Sequence, residues 1–359
     1  MTQPIPSFEL LAGPAAYRHI LKNGLEPQQL ATIFGASGAA KWLTIYGLDR
    51  AIFESWLPKA DKSLHLLGTS IGAWKLAAAG QSQPGWALNE LAEGYILQSY
   101  EEGITKQIVH RELIAILDRF LQQPQVDDLL TQNRFHYHCG VARCHGALSG
   151  DTGWPLARGM ASAFARNLRG RSGLNGQFER VIFTDARAQP DVRSLDGIAT
   201  ETQTLNRNNL RDAVIASGSI PYVMAAKTAI SGAPSGVYRD GGLIDYHPVP
   251  SNFWAEPGLI LYPHFYRWLL PGWYDKYLPS RRAKAQALNN VIMVVPTDAY
   301  VAQLPGGQIP DRKDFQRFKG NEAERQRRWR QVKDKSESLG AEFLAIAQSG
   351  DWLQVLRPL

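Results

Sequence analysis

Short apolar runs alternate along the chain with longer segments whose apolar residues recur at helical spacing. The runs hold few polar residues, which is typical of parallel strands that are covered on both faces. They lie at 30–34, 64–67, 259–262 and 291–295. The segments with helical spacing lie at 40–57, 73–80, 86–101, 105–121 and 206–216. This alternation predicts an α/β fold with a mostly parallel sheet.

The remaining segments predict further elements around this framework. Residues 8–28 are expected to form one or two helices, and Pro124 is expected to close the helical layer of 86–121. Two more strands are predicted, at 134–143 and 179–184. Between these strands, residues 149–177 are rich in Gly and Arg and predict a helix-and-loop insertion that lies over a site.

The composition narrows the class of protein. With 359 residues, 44% of them hydrophobic, the chain can bury a sizeable core. No apolar run approaches the length of a membrane span, and the N-terminus lacks the regions of a secretory signal peptide, so we expect a cytoplasmic protein. The net charge of +6 fits peripheral contact with the anionic inner face of a membrane, and the alternative is that most surface Lys and Arg serve solubility. No nucleic-acid-binding motif accompanies this charge, so no nucleic acid partner is expected.

A strand, the pattern G-x-S-x-G and an Ala-rich helix follow one another within residues 64–80. A nucleophile elbow requires this order, because its sharp turn from strand to helix exposes a serine hydroxyl. Gly68 and Gly72 leave room for the turn, and Ser70 is the candidate nucleophile. The alternative is a tight turn without a catalytic role, which the flanking strand and helix make less favourable.

A second candidate residue, Asp240, follows an apolar segment and precedes Gly241 and Gly242. The glycines allow a tight turn that leaves space in front of the carboxylate. An Asp beside a Ser hydroxyl can act as general base on its own if partial burial raises its pKa. No histidine after Ser70 has a setting typical of a triad base. Taken alone, D-G-G is more typical of a β-turn.

Together these motifs resemble the patatin-like phospholipases, which carry serine in G-x-S-x-G and aspartate in D-G-G or D-G-A. Residues 216–221, A-S-G-S-I-P, are similar to the family's A-S-x-A-x-P, and residues 245–249, D-Y-H-P-V, are similar to its D-N-x-P-[VI]. The motifs stand in the family's order across residues 30–250. The resemblance implies a three-layer α/β/α fold with a mostly parallel central sheet and added helices. It also implies a dyad of Ser70 as nucleophile and Asp240 as base.

The family's oxyanion loop, G-G-G-x-[KR]-G, aligns with residues 37–42, where only Gly38 and Lys41 match. Backbone amides form an oxyanion hole, so Ala or Ser can donate as Gly does. The resemblance implies donors at Ser37, Gly38, Ala39 and Ile71. It implies supporting positions at Gly35, Lys41, Gly68, Gly72, Gly241 and Gly242. We expect Lys41 at a helix cap or rim, and a plain strand–helix loop is the alternative for this segment.

The resemblance implies a serine acyl hydrolase, a phospholipase or esterase, that cleaves a lipid ester without a metal or cofactor. A non-catalytic lipid- or membrane-binding protein on the same scaffold is one alternative, and an acyltransferase or polyester hydrolase with the same dyad is another. The expected organisation is an N-terminal helical segment (1–29), a catalytic domain (30–262) and a C-terminal extension (263–359) packed on the same domain.

Three further segments allow both a structural and a functional interpretation. Residues 262–282 hold seven aromatic and four basic residues, which either anchor in a membrane interface or pack on the domain. Residues 311–348 predict a helix that docks through an apolar stripe, with a membrane-facing helix as the alternative. His136 and His138 share one face of a predicted strand and Cys139 points to the other, so we expect strand residues rather than zinc ligands.

Overall fold

The sheet contains ten strands in the part of the chain that the computed structural model describes, residues 6–100 and 103–359. The strands are β1 (Phe8–Ala12), β2 (Leu30–Gly35), β3 (Leu64–Thr69), β4 (Phe135–Cys144), β5 (Phe178–Thr184), β6 (Thr200–Thr204), β7 (Val237–Asp240), β8 (Leu259–Pro263), β9 (Val291–Pro296) and β10 (Leu356–Pro358). Their order is β10-β1-β9-β8-β2-β3-β4-β5-β6, and β7 pairs with β4. Six of these nine pairings are parallel, which confirms the predicted α/β fold with a mostly parallel sheet.

Helices cover the sheet on both faces. The helices are α1 (Pro14–Asn23), α2 (Tyr46–Arg50), α3 (Ile71–Ala79), α4 (Pro84–Leu97), α5 (Lys106–Phe120), α6 (Gln123–Thr131), α7 (Gly153–Leu168), α8 (Leu210–Ser217), α9 (Pro250–Phe253), α10 (Asp298–Val301), α11 (Asp314–Arg317) and α12 (Glu322–Ser349). On one face α3 lies so close to β2 that a Cβ on Gly72 would be 2.2 Å from the carbonyl oxygen of Gly35. On the other face, Trp254 after α9 donates from its indole to Thr32 Oγ1 at 3.3 Å.

Two predictions around the helices are wrong. Residues 8–12 form strand β1, which is paired with β9 and β10 and largely buried, instead of the start of a helix. A five-residue apolar run is too short for its spacing to distinguish a strand from a helix. Pro124 does not close the helical layer, because it lies in the first turn of α6, where a backbone N–H is not needed.

All three predicted segments contribute strands to this sheet. The N-terminal segment provides β1, which lies between β9 and β10 of the C-terminal extension. In turn, β9 pairs in parallel with β8, the last strand of the segment 30–262. The long helix α12 packs on the domain through a buried apolar stripe, as the docking interpretation predicts. The stripe consists of Trp329, Val332, Leu339, Phe343 and Ile346.

The aromatic segment 262–282 mostly packs against the domain. Tyr262, Phe265 and Tyr274 are each no more than 2% exposed, so burial accounts for these rings. Tyr277 differs, because 76% of it is exposed. Within the described residues, no helix combines the length and the apolar character that crossing a bilayer requires.

Candidate active site

Ser70 lies in the turn between β3 and α3. Its backbone has φ 53° and ψ −133°, a conformation that residues with a side chain rarely adopt. The amide of Ser70 donates to Ser217 Oγ at 2.9 Å, and the Ser217 hydroxyl donates to the carbonyl of Gly140 at 2.7 Å. The strained turn is therefore tied to strand β4 through the side chain of Ser217.

The Ser70 hydroxyl donates a hydrogen bond to Asp240 Oδ2 at 2.8 Å. The other carboxylate oxygen, Oδ1, accepts from the amide of Gly242 at 2.7 Å, which fixes the orientation of the carboxylate. Asp240 is only 7% exposed. Burial raises the pKa of Asp240 to about 6, although the hydrogen bonds from Ser70 and Gly242 act in the opposite direction. The structure thus brings the two sequence-predicted catalytic residues into direct contact.

Close backbone packing explains the glycines beside the dyad. A Cβ on Gly241 would lie 2.2 Å from the carbonyl oxygen of Gly140, and one on Gly242 would lie 2.5 Å from Ser37 Oγ. Gly68 is restricted in the same way, because a Cβ on Gly68 would lie 2.4 Å from the carbonyl carbon of Gly72 in α3. The sequence-predicted supporting glycines therefore bring the elements that carry Ser70 and Asp240 together.

The backbone strain at Ser70 predicts an unusual order of stability among variants. Ser70→Gly and Ser70→Ala both remove the hydroxyl, but only glycine relieves the positive φ. We expect Ser70→Gly to be more stable than Ser70→Ala by about 1 kcal/mol in urea unfolding. Ala78→Gly, inside α3, is the control and should lower stability by about 1 kcal/mol or more. A Ser70→Ala protein that is more stable than Ser70→Gly would contradict the strained elbow.

The segment that aligns with the family's oxyanion loop lies between β2 and the 3₁₀ turn Ala39–Ile45, and its structure differs from one prediction. The amide of Ser37 donates to the carbonyl of Tyr246 at 2.9 Å, so the predicted oxyanion donor at Ser37 is wrong. The Ser37 hydroxyl instead contacts Thr69 Oγ1 at 3.0 Å. Ala39 has φ 54°, a left-handed conformation that favours glycine.

The other three predicted oxyanion donors have free amides. Within residues 6–100 and 103–359, no backbone carbonyl accepts from the amides of Gly38, Ala39 and Ile71. The Ile71 amide belongs to the first turn of α3, where amides have no partner within the helix. All three residues line cavities that Ser70 also lines. They can therefore donate to a negatively charged oxygen formed beside the Ser70 hydroxyl.

Two cavities meet at Ser70, with volumes of about 360 and 770 Å³. Ser70 and Ala39 line both of them. The smaller cavity is mainly apolar, and its walls include Trp74, Tyr95, Val109, Leu113, Met224 and Phe315. The larger cavity also contacts Asp240 and combines aromatic with basic side chains. They include Phe164, Tyr246, Trp273, Tyr277, Lys41 and Lys276, whereas Arg312 and Lys313 line both cavities. The predicted insertion contributes Phe164 of α7, so it does line the site.

Sequence reasoning assigned no role to several groups that shape the site. Ser217 lies in the motif at 216–221, but its contact with the Ser70 amide connects positions 147 residues apart. Arg180, behind the D-G-G turn, forms a two-point contact with Asp245, with N–O distances of 2.6 and 3.0 Å. Basic residues are frequent in this chain, and spacing alone does not distinguish Arg180 from those on the surface.

The histidines and Cys139 of β4 make contacts consistent with strand residues. His138 is buried, and its Nε2 lies 2.8 Å from Nδ1 of His65. Burial lowers the pKa of His138 well below its usual value, so it is neutral at physiological pH. Cys139 points to the other face and donates to the carbonyl of Ala213 at 3.5 Å. Across the described residues, no group of three or more His, Cys, Asp or Glu could hold a metal ion.

No protein-family model matches this chain, and no curated protein matches it. The chemistry that the site can perform therefore follows from its geometry alone. Its main features are a strained serine, a buried aspartate in contact with it, free amides beside both, and two adjoining cavities.

Proposed function

We propose that this protein is a patatin-like serine acyl hydrolase that cleaves a lipid ester through an acyl-enzyme on Ser70. One observation carries the proposal. The Ser70 hydroxyl and the Asp240 carboxylate, 170 positions apart in the chain, lie 2.8 Å from each other where two cavities meet. A nucleophile and base within hydrogen-bond reach are what covalent acyl transfer requires.

In the proposed acylation step, Asp240 accepts the hydroxyl proton as Ser70 Oγ attacks the acyl carbonyl carbon. The carbonyl oxygen becomes negatively charged and accepts from amides of Gly38, Ala39 and Ile71. When the carbon–oxygen bond of the ester breaks, the departing alcohol takes the proton from Asp240. The acyl group stays on Ser70, and Asp240 is again a carboxylate.

Deacylation repeats these steps with water. Asp240 accepts a proton from water as the water oxygen attacks the acyl carbon of the ester on Ser70. The same amides stabilise the second oxyanion. When the bond to Ser70 Oγ breaks, the proton on Asp240 returns to that oxygen, and the carboxylic acid leaves. An acyltransferase would differ only in using an alcohol in place of water.

The cavity walls support a lipid substrate over a small polar ester. The smaller cavity has apolar and aromatic walls suited to a fatty chain. Three large apolar residues that line the cavities are also well exposed, namely Ile104 (55%), Tyr222 (46%) and Tyr277 (76%). These three residues, together with the neighbouring basic side chains, fit peripheral contact of a cytoplasmic enzyme with an anionic membrane surface.

Covalent labelling by a fluorophosphonate tests the proposal, because the probe reacts with activated serines. We expect labelling at Ser70, at a rate that falls as the pH drops through about 6, because protonation of Asp240 removes the base. The measurement is the labelling rate between pH 4.5 and 8.5, with the modified peptide located by mass spectrometry. Asp240→Asn, as control, should label at least about 100-fold more slowly and without this pH dependence.

Two results would contradict the proposed function. Wild-type protein that stays unlabelled at pH 8 would favour the alternative of a non-catalytic lipid-binding protein. Labelling that persists in Ser70→Ala at the wild-type rate would place the reactive group elsewhere. An acyltransferase would be identified by a third result, in which Ser70 is labelled and the protein transfers an acyl group to an added alcohol faster than to water.

A further inference from the structure

Gly38, which carries one of the three free amides beside Ser70, lies against an aromatic ring. The three atoms nearest to a Cβ built on Gly38 all belong to Phe265, with Cζ at 2.4 Å, Cε1 at 2.7 Å and Cε2 at 3.3 Å. The backbone of Gly38 has φ 171°, which is extended and open to residues with a side chain. The ring of Phe265, rather than the backbone conformation, therefore excludes a side chain at position 38.

Phe265 follows strand β8 and is only 2% exposed. Its ring stacks on that of His264, with the ring centres 4.5 Å apart, and meets the ring of His247 edge-on at 5.9 Å. The amide of His264 donates to the carbonyl of Val294 in β9 at 2.9 Å, which joins this segment to the sheet. The Phe265 ring is thus held firmly where it contacts Gly38.

The loop that carries Gly38 needs such support, because its backbone is strained. Ala39 has φ 54°, and a residue with a side chain keeps this conformation only where its surroundings impose it. The amide of Ser37 is fixed by the carbonyl of Tyr246 at 2.9 Å, and the next residue, Gly38, packs on Phe265. Phe265 lines neither cavity at Ser70, so it supports the loop from behind.

We propose that Phe265 is a positioning residue that holds the amides of Gly38 and Ala39 toward the oxyanion formed beside Ser70. The inference deepens the proposed function and depends on it for the role of these amides. An oxyanion donor acts at a distance of about 2.7–3.1 Å, so a small displacement of the loop weakens it. The support would affect kcat more than KM, because the oxyanion forms only in the reaction steps.

A double-variant cycle between Phe265 and Gly38 tests this role. Phe265→Leu removes all three ring atoms nearest to Gly38 and should lower kcat for a short-chain chromogenic ester by about 10-fold or more, with KM within about 2-fold of wild type. Phe265→Met refills part of the gap and should keep more of kcat than Phe265→Leu. Gly38→Ala alone should lower kcat by about 100-fold or more, because its Cβ pushes the loop away from the ring.

The double variant gives the decisive result. Without the ring, a Cβ at position 38 has room, so Gly38→Ala should cost no more than about 3-fold in kcat when it is added to Phe265→Leu. The urea midpoint should follow the same pattern. It should fall on Gly38→Ala in wild type and change little when Gly38→Ala is added to Phe265→Leu.

The matched control is Phe53→Leu. Phe53 is also 2% exposed, and its ring packs on that of Phe135, which pairs with the first residue of β3 and so lies at the far end of that strand from Ser70. Phe53→Leu should lower the urea midpoint about as much as Phe265→Leu, because both shorten a buried ring. It should leave kcat within about 2-fold of wild type and should not rescue Gly38→Ala.

Three results would overturn the role of Phe265. They are an unchanged kcat in Phe265→Leu, kcat losses that simply multiply in the double variant, and a loss of kcat in Phe53→Leu equal to that in Phe265→Leu. Failure of the proposed function appears differently, as wild-type protein that neither reacts with the fluorophosphonate nor hydrolyses the ester. The urea midpoints would then still report the contact between the ring and the loop.

Discussion

Ser70→Ala is expected to lower kcat/KM for a short-chain chromogenic ester by about 10⁴- to 10⁶-fold. The variant removes the only atom that the proposed mechanism uses to form the acyl-enzyme. Asp240→Asn is expected to lower kcat/KM by about 10²- to 10⁴-fold, because an amide in hydrogen-bond contact with the serine cannot accept its proton. In the proposed mechanism the hydroxyl and the carboxylate, 2.8 Å apart, act as a unit, so the double variant should be no slower than Ser70→Ala.

Matched controls separate this effect from general damage. Ser172→Ala and Asp191→Asn make the same chemical changes at the surface, where Ser172 is exposed and the Asp191 side chain is 39% exposed, and should keep activity within about 2-fold of wild type. Circular dichroism and the urea midpoint should show that Ser70→Ala and Asp240→Asn remain folded. Activity in Ser70→Ala within 10-fold of wild type would show that the hydrolysis, if any, does not pass through this serine.

The largest loss of stability is expected from Arg180→Met. Arg180 is 1% exposed, and its guanidinium bonds both oxygens of Asp245 and both of Asp196, with N–O distances from 2.6 to 3.2 Å. Burial alone would raise the pKa of Asp196, but Arg180 and Arg171 lower it overall, which shows how far the carboxylate depends on them. Methionine would leave the buried carboxylates short of positive charge. We expect a loss of about 3–5 kcal/mol in urea unfolding.

The control for this prediction is Arg193→Met, which breaks an Arg–Asp pair with Asp191 at the surface. The side chains of that pair are 64% and 39% exposed, so its loss should cost no more than about 1 kcal/mol. The Asp245 amide also donates to the carbonyl of Gly241, at 2.8 Å, one residue after the candidate base. Arg180→Met should therefore also slow fluorophosphonate labelling. A loss of stability equal to that of Arg193→Met would show that the buried network contributes little.

A local motif was enough to single out Ser70, whereas the D-G-G pattern of Asp240 taken alone favours a β-turn. A strand, an elbow and a helix surround Ser70, and the glycines after Asp240 appear in the sequence beside it. Their contact depends on how β3 and β7 both pair with β4, which the spacing of 170 residues does not reveal. The resemblance to a known family supplied that step in place of geometry.

Long-range contacts explain the errors and omissions. The amide of Ser37 donates its hydrogen bond to the carbonyl of Tyr246, which is 209 positions away in the chain. No local pattern around Ser37 therefore indicates that this amide already has an acceptor. Lys276 belongs to the 3₁₀ turn Trp273–Tyr277 and Arg312 to the turn before α11, and both line one cavity, although in the sequence each looks like an ordinary surface cation. Likewise β1 is identified as a strand only by its neighbours β9 and β10.

The way the sheet joins both ends of the chain limits how the protein can be shortened. A fragment of residues 30–262 would contain the dyad but would lose β9, the neighbour of β8. Strand β8 is buried along its whole length and would become an open, apolar edge, the kind of edge that recruits other chains. Such a minimal fragment would also lack Lys276 and Arg312. Recombinant work on this enzyme candidate therefore needs the intact polypeptide, and aggregation of a trimmed version would say nothing about its chemistry.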